Sequence, residues 1–299
     1  MSTRLVHVVI DAADPEREAR FWSEVFGWEV RPGAAGTVMD GPGTDGSLMV
    51  APRGWRYPDP GPVPLLLVPS AEPKAGRNRL HFDLPTSSAA HHGDEVARIT
   101  GLGATPVDIG QGDVPWTVLA DPEGNEFCVL DARPGTYFDT GPVAAVVVGC
   151  SDPAGQAAFW AQATGWRRQR ERASDDLVAL RARQVRGPFL ELLRDSDAAT
   201  AGARVRLDVA PKEGEDPDAA LRSLLEAGAR PADSGQPDAP WWLLSGPGET
   251  EFRVLTPRLF WPGDAGAAAD LRLGHGRVAA GREVRRRVDR ARGVDPAAV

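Results

Sequence analysis

The chain alternates between the hydrophobic period of a strand and that of a helix. Residues 4–11, RLVHVVID, alternate in polarity and predict a strand with His7 on one face. Asp14 and Pro15 then provide an N-cap and a first helical residue, and Gly27 provides a C-terminal glycine. The apolar stripe between them indicates an amphipathic helix and comprises Ala19, Trp22, Val25 and Phe26.

Further strands complete this first half, and the same order of elements then occurs a second time. Short apolar runs predict strands at 28–32, 36–40, 46–51 and 64–69. From Leu80 the cycle restarts with a strand to Leu84 and a helix over 88–102. Further strands are expected near 105–109, 115–120 and 125–131. The pattern predicts a unit made of two β-α-β-β-β halves.

This unit is itself duplicated. FWSEVFGW from Phe21 returns as FWAQATGW from Phe159, at an offset of 138 residues. PWTVLADPEGNEFCVL from Pro115 returns as PWWLLSGPGETEFRVL from Pro240, at an offset of 125 residues. The first unit therefore carries 13 extra residues, which we place in the turn-rich stretch 51–64. We predict an α+β fold of tandem βαβββ repeats, with units at 1–134 and 140–258 and an Arg-rich tail at 259–299.

Composition narrows the classes of protein and partner. With 42% hydrophobic and 25% charged residues the chain is typical of a globular protein, and no apolar run approaches the length of a membrane span. The net charge of -8 disfavours nucleic acid as a partner, although residues 277–292 carry a local net charge of +5. Two cysteines and no secretory signal layout lead us to expect a cytoplasmic protein with reduced thiols, no membrane partner and a small-molecule ligand.

Four segments resemble the vicinal oxygen chelate superfamily, which includes glyoxalases, extradiol dioxygenases, fosfomycin-resistance enzymes and bleomycin-binding proteins. They are HVVIDAADPEREARFWSEVFGW, LHFDL, LGATPV and DPEGNEFCVL. The resemblance covers residues 4–256 as two modules. It implies that each module is a cupped mixed sheet whose concave face holds a divalent metal.

The resemblance also implies which residues bind that metal. In the superfamily the ligands come from the first strand of each half and the last strand of the second half, which here gives His7, His81 and Glu126. Two imidazoles and a carboxylate suit Fe2+ or Mn2+, with Zn2+, Ni2+ or Mg2+ as further options, and Glu126 would also move protons as the catalytic residue. The extra carboxylate of glyoxalase I would fall in the apolar segment 64–70, which moves the pattern toward the extradiol dioxygenase type.

The second unit lacks both histidines, because Ala145 stands opposite His7 and Arg206 opposite His81. We therefore predict that the metal site lies in the first unit and that the second unit is degenerate. Glu251 nevertheless remains opposite Glu126, which leaves open a structural role for this glutamate. Pocket residues are expected among the aromatic residues and cysteine near this site, namely Trp55, Tyr57, Trp116 and Cys128. The alternative is packing for Trp116 and Cys128, and solvent exposure in a loop for Trp55 and Tyr57.

Three functions remain open at this point. The first is a divalent-metal-dependent enzyme, of dioxygenase, lyase or isomerase type, that acts on a substrate binding through two oxygens. The second is a metal-free protein that binds or sequesters an aromatic small molecule, as antibiotic-resistance proteins do. The third is a structural role without a site. In each case the two units are expected to pair within one chain, as a monomer or a homodimer.

Overall fold

A computed structural model describes residues 3–33, 45–56, 61–132, 135–183, 186–197, 204–232 and 241–255. Tyr57, the expected strand at 36–40 and the Arg-rich tail lie outside these residues. The first unit consists of β1 (Thr3–Ala12), α1 (Pro15–Phe26), β2 (Glu29–Pro32), β3 (Leu48–Ala51) and β4 (Leu65–Pro69), then β5 (Leu80–Leu84), α2 (Ala89–Gly101), β6 (Thr105–Pro106), β7 (Thr117–Ala120) and β8 (Glu126–Val129).

The second unit repeats this order of elements. It consists of β9 (Ala145–Cys150), α3 (Pro153–Thr164), β10 (Arg167–Ala173), β11 (Leu177–Arg181) and β12 (Phe189–Arg194), then β13 (Val205–Pro211), α4 (Pro217–Glu226), β14 (Arg230–Pro231), β15 (Trp241–Ser245) and β16 (Glu251–Leu255). A single 3-10 turn, Pro247–Glu249, precedes the last strand. The predicted series of four β-α-β-β-β halves is confirmed.

The two copies of the first helix begin and end in the same way. In α1 the Asp14 side chain accepts a hydrogen bond from the Arg17 amide at 3.0 Å, and in α3 Asp152 accepts one from the Gly155 amide at 3.0 Å. Gly27 ends α1 with a φ of 65°, a left-handed conformation that glycine adopts without steric cost. The cap residues expected from the sequence therefore set the helix boundaries.

The strands form two eight-stranded sheets that mix the two units. The first sheet has the order β14-β15-β16-β13-β1-β4-β3-β2, and the second sheet has the order β10-β11-β12-β9-β5-β8-β7-β6. Antiparallel pairing of β1 with β13 joins the halves of the first sheet, and pairing of β5 with β9 joins those of the second. Each sheet thus combines the first half of one unit with the second half of the other.

The helices and the main hydrophobic core lie on one face of each sheet. Trp22 of α1 packs against Phe82 and Phe127 of the second sheet, at ring-centroid distances of 5.3 and 5.1 Å. Trp160 of α3 packs in the same way against Phe252 of the first sheet, at 5.3 Å. Because strand side chains alternate, the residues between these core positions point to the opposite face, called here the far face of each sheet.

Candidate metal and ligand site

The structure does not bring the predicted ligands His7, His81 and Glu126 together. His7 lies on β1 in the first sheet, whereas His81 and Glu126 lie on β5 and β8 in the second sheet. The physical reason is the exchange of halves, because β1 pairs with β13 of the second unit and not with β5 of its own unit. A site built from strands of one unit alone therefore does not form.

Glu126 is engaged in contacts that hold a loop. Its Oε1 accepts a hydrogen bond from Lys74 Nζ at 2.7 Å, and its Oε2 accepts one from the Asn78 amide at 3.2 Å. Both donors belong to the segment that leads into β5. These contacts correspond to the structural role that the persistence of Glu251 left open.

A different set of side chains meets on the far face of the second sheet. Among the described residues, His81, Asp83 and Cys128 form a cluster in which one nitrogen, one oxygen and one sulfur all lie within 4.8 Å of one another. Asp83 stands opposite Cys128 in the parallel pairing of β5 and β8, and His81 Nε2 lies 3.5 Å from Asp83 Oδ1. This Asp83 oxygen is buried and accepts no hydrogen bond from any donor in the described part of the chain.

The cluster borders a pocket of about 180 Å3 that strands of both units enclose. Its walls include Trp116 and Cys128, together with Tyr137, Arg172 and Glu191. The remaining wall is mostly apolar and is formed by Leu130, Val147, Leu177 and Leu193. The polar side chains thus occupy one part of a largely hydrophobic pocket, as in many small-molecule sites.

Burial and nearby charge shape the acid–base properties of this pocket. Arg172 Nη2 donates to Glu191 Oε1 at 2.5 Å, yet burial and the charge of Asp83 still raise the pKa of Glu191. Burial likewise raises the pKa of the Cys128 thiol far above its usual range, and Asp83 adds to the effect. Burial and then Glu191 raise the pKa of Tyr137 to about 12. Two carboxylates therefore face one guanidinium, a charge distribution that suits a bound cation.

Comparisons with known proteins identify the fold that carries this pocket. The sequence profile of the Glyoxalase-like domain family matches residues 7–130 and 145–255. The chain belongs to this family. It is thus a glyoxalase-like protein of the vicinal oxygen chelate superfamily, as its motifs suggested. A comparison with curated protein sequences finds no match.

Solved structures share the glyoxalase-like fold at low sequence identity. Glyoxalase I from Zea mays superposes with a TM-score of 0.54 at 14% identity, over 87% of this chain and 94% of that chain. A "putative dioxygenase" from Bacillus subtilis superposes with a TM-score of 0.51 at 14% identity, over 97% and 96% of the two chains. These likenesses support the architecture. None of the described helices combines the length and apolar character needed to span a membrane.

The far face of the first sheet shows how the other copy of this glyoxalase-like site differs. Asp208 and Arg253 stand where Asp83 and Cys128 stand in the second sheet, at the same offset of 125 residues. Arg253 binds both oxygens of Asp208 at 2.7 Å, and His7 Nδ1 lies 3.3 Å from Asp208 Oδ2. Burial alone would raise the pKa of Asp208, but Arg253 and His7 hold it well below its usual range. The charges of this face are therefore satisfied internally.

Trp55 fills space on the same face of the first sheet. It is 4% exposed and packs against Val9, Met49 and Leu66. The sequence placed Trp55 with Trp116 in one pocket, but the structure places the two residues on different sheets. The expected position of the 13 extra residues is also only partly right, because the strand registers place eight of them between β2 and β3 and five between β3 and β4, the segment that contains Trp55. Trp55 does not line the second-sheet pocket.

Among the pocket residues that were not predicted as site residues, four carry ionisable side chains. Asp83 could have been found, because it follows His81 by two positions on a predicted strand and so shares its face. Glu191 was visible as the one acid in FLELL, but it lies in the unit that appeared degenerate. Tyr137 and Arg172 carry no signal in the sequence, because only the exchange of halves brings them to β5 and β8.

Proposed function

We propose that this glyoxalase-like protein is a divalent-metal-dependent enzyme that acts on a small substrate binding through two oxygens. The site is the second-sheet pocket, and its ligands are His81, Asp83 and Cys128. The observation that carries the proposal is the cluster of three ligand atoms within 4.8 Å at the wall of a pocket. Of the ligands expected from the sequence, His81 is retained, whereas Asp83 and Cys128 take the places given to His7 and Glu126.

The residues present fit a cation. Asp83 Oδ1 is buried and accepts no hydrogen bond from a described donor, which costs about 1–3 kcal/mol, and a cation held between this oxygen and His81 Nε2, 3.5 Å away, would compensate for that cost. In the first sheet the Arg253 guanidinium provides that compensation to Asp208, whereas Cys128 offers no positive charge at the equivalent position. Imidazole, carboxylate and thiolate together suit Zn2+ or Fe2+, and the thiolate makes Mn2+ and Mg2+ less favourable than the sequence suggested.

Each side chain then has a definable part in the chemistry. When bound, a divalent ion supplies Lewis-acid polarisation of substrate oxygens. Arg172 holds Glu191 Oε1 in a fixed position at the pocket wall, where the carboxylate can accept a proton from a bound substrate. The apolar wall excludes water from the bound substrate and strengthens these interactions. Isomerisation and lyase reactions need such a Lewis acid beside a carboxylate base, and ring-cleaving oxygenation would in addition need a redox-active metal such as Fe2+.

Metal analysis of protein purified without chelator tests this proposal. We expect about one equivalent of metal in the wild-type protein and a loss of most of it in His81→Ala and Cys128→Ala. Glu126→Gln serves as the matched control, because Glu126 lies on the same strand as Cys128 but binds Lys74. Wild-type protein that takes up no metal on reconstitution would contradict the proposal. So would a Glu126→Gln variant that loses metal while Cys128→Ala keeps it.

Metal-free binding of a small molecule is the second candidate, and one observation favours it. Arg172 already pairs with Glu191, and His81 lies close enough to Asp83 for the two to interact directly. The charges of the pocket can therefore be paired without an ion, and Trp116 can stack on an aromatic ligand. In that case a ligand binds equally well before and after treatment of the protein with chelator.

A further inference from the structure

We propose that Tyr137 limits the ligand of the second-sheet pocket to a single ring. Tyr137 lies in the connector between the two units, defined here as residues 135–144. The inference rests on the proposed function for the location of the site but does not require a bound metal. Tyr137 lies between the two segments that match the family profile, residues 7–130 and 145–255. It is therefore a feature of this tandem chain and belongs to neither β-α-β-β-β unit.

The connector is held in place on both sides of Tyr137. Arg172 Nη1 donates to the Thr136 carbonyl at 3.0 Å, and Arg181 Nη2 donates to the Phe138 carbonyl at 2.9 Å. Both arginines belong to the second unit. A backbone fixed by charged donors immediately before and after a residue gives its side chain a defined position. The position of Tyr137 is thus set by the fold and does not depend on a ligand.

Neighbouring side chains also hold the ring of Tyr137 in place. The Arg172 guanidinium lies 4.4 Å from its centroid, and the Phe189 ring packs against it edge-on at 6.0 Å. Arg172 is itself bound to Glu191. Tyr137 also packs against the apolar cluster that contains Cys128 and Leu130. Because side chains and an ion pair hold the ring, it forms a firm wall of the pocket.

The size of the pocket determines what fits against this wall. A dry cavity of about 150 Å3 accommodates one benzene molecule, so a pocket of about 180 Å3 has room for one ring with small polar substituents. Tyr137 is the lining residue with the largest fixed ring beside the His81, Asp83 and Cys128 cluster on the connector side, so truncation of its ring enlarges this space. Forcing extra carbon atoms into a packed site costs about 1–3 kcal/mol, which corresponds to about tenfold or more in affinity.

Two probes that share one chelating group separate ring size from metal binding. Catechol has one ring, and 2,3-dihydroxynaphthalene presents the same two oxygens on two fused rings. We would measure both affinities by calorimetry, for metal-loaded and for chelator-treated protein. The wild-type protein is expected to bind catechol at least about tenfold more tightly, and Tyr137→Ala to reduce this preference about tenfold. Tyr137→Phe keeps the ring and is expected to keep the preference.

Two further variants guard against indirect effects. Tyr137→Leu preserves apolar packing and is expected to give an intermediate preference if the alanine variant unfolds. Phe138→Ala changes the adjacent residue of the connector, whose side chain is 72% exposed, and should leave the preference unchanged. Failure of the wild-type protein to bind catechol, or an unchanged preference in folded Tyr137→Ala and Tyr137→Leu, would overturn the inference. Metal content is measured separately, so either proposal can fail while the other stands.

Discussion

Replacement of Glu18 by glutamine is expected to stabilise the protein in a strongly pH-dependent manner. Glu18 lies on α1, is 0% exposed, and receives no hydrogen bond from any described donor. It faces Asp121, whose two oxygens accept hydrogen bonds from four donors on Trp22, Glu123 and Asn125. Burial raises the pKa of Asp121 as well, but these hydrogen bonds and one from Glu18 lower it, so the proton of the pair lies on Glu18. Burial and then the charge of Asp121 raise the pKa of Glu18 to about 10, so Glu18 holds a proton at neutral pH.

The size of the effect follows from the two pKa values of Glu18. Because the folded-state pKa is raised, the full stability is present below the unfolded value of 4.5 and is lost progressively as pH rises toward about 10. At pH 7 the gap from 4.5, at about 1.4 kcal/mol per unit, corresponds to about 3 kcal/mol. Glu18→Gln has the same shape and needs no proton, so it should recover up to this amount at pH 7.

Urea unfolding followed by tryptophan fluorescence measures this difference in the free energy of unfolding. We expect Glu18→Gln and wild type to be equally stable near about pH 4 and to diverge steadily up to about pH 8. The second unit offers the reciprocal control, because Gln156 already occupies the equivalent position. Gln156→Glu should introduce a smaller loss of stability at high pH, because Gln156 is buried but Gly246 stands where the first unit has the charge of Asp121. A difference for Glu18→Gln that is constant with pH would refute the reasoning.

Three further substitutions test the packing of the two sheets by the same unfolding measurement. Asp208→Asn leaves the buried Arg253 guanidinium without its countercharge and is expected to lower the free energy of unfolding by about 3–5 kcal/mol; a loss below about 1 kcal/mol would contradict this. Trp55→Ala should cost about 3–5 kcal/mol yet leave catechol binding unchanged, since Trp55 lies on the other sheet. Gly187→Ala should destabilise by about 1–3 kcal/mol because its Cβ would meet the Gly61 carbonyl, whereas Gly101→Ala, which meets nothing, should not.

The sequence was sufficient to predict the local elements. Alternation over residues 4–11 and the caps at Asp14 and Gly27 correspond to β1 and α1 in the structure. These features depend on neighbouring residues only, since a side-chain cap and a left-handed glycine act within one helical turn. The repeat then extended the same prediction to α3, which begins after Asp152 and ends before Gly165.

The pairing of halves could not be predicted in the same way. Apolar residues of β1 satisfy the same alternation whether the neighbouring strand is β5 or β13, because both strands present similar residues to the core. His81 was correctly assigned to a strand face, but its neighbours across the sheet depend on this choice. Val147 of the second unit stands opposite it. The contribution of Arg172, Glu191 and Tyr137 therefore has no counterpart in any local pattern.

The choice between Glu126 and Cys128 as a metal ligand shows a second limit of prediction from the sequence. The two residues lie two positions apart on β8 and so share a face, and a carboxylate is the more familiar ligand. Glu126 stands at the first position of the strand, where Lys74 and Asn78 reach it. Cys128 lies two residues further along β8, opposite Asp83 of β5. Only the position of the loop before β5 distinguishes them, and the pattern along β8 does not reveal it.

The exchange of halves changes what the two copies of this duplication represent. Neither repeat is a site with a spare scaffold beside it, because each described sheet takes four strands from each repeat. The loss of histidine at Ala145 and the gain of Arg253 thus belong to different pockets, although both lie in the second repeat. Substitutions in one repeat can close one pocket and tune the other independently. A single chain can in this way keep an open pocket on one sheet while Trp55 and the Asp208–Arg253 ion pair fill the corresponding face of the other sheet.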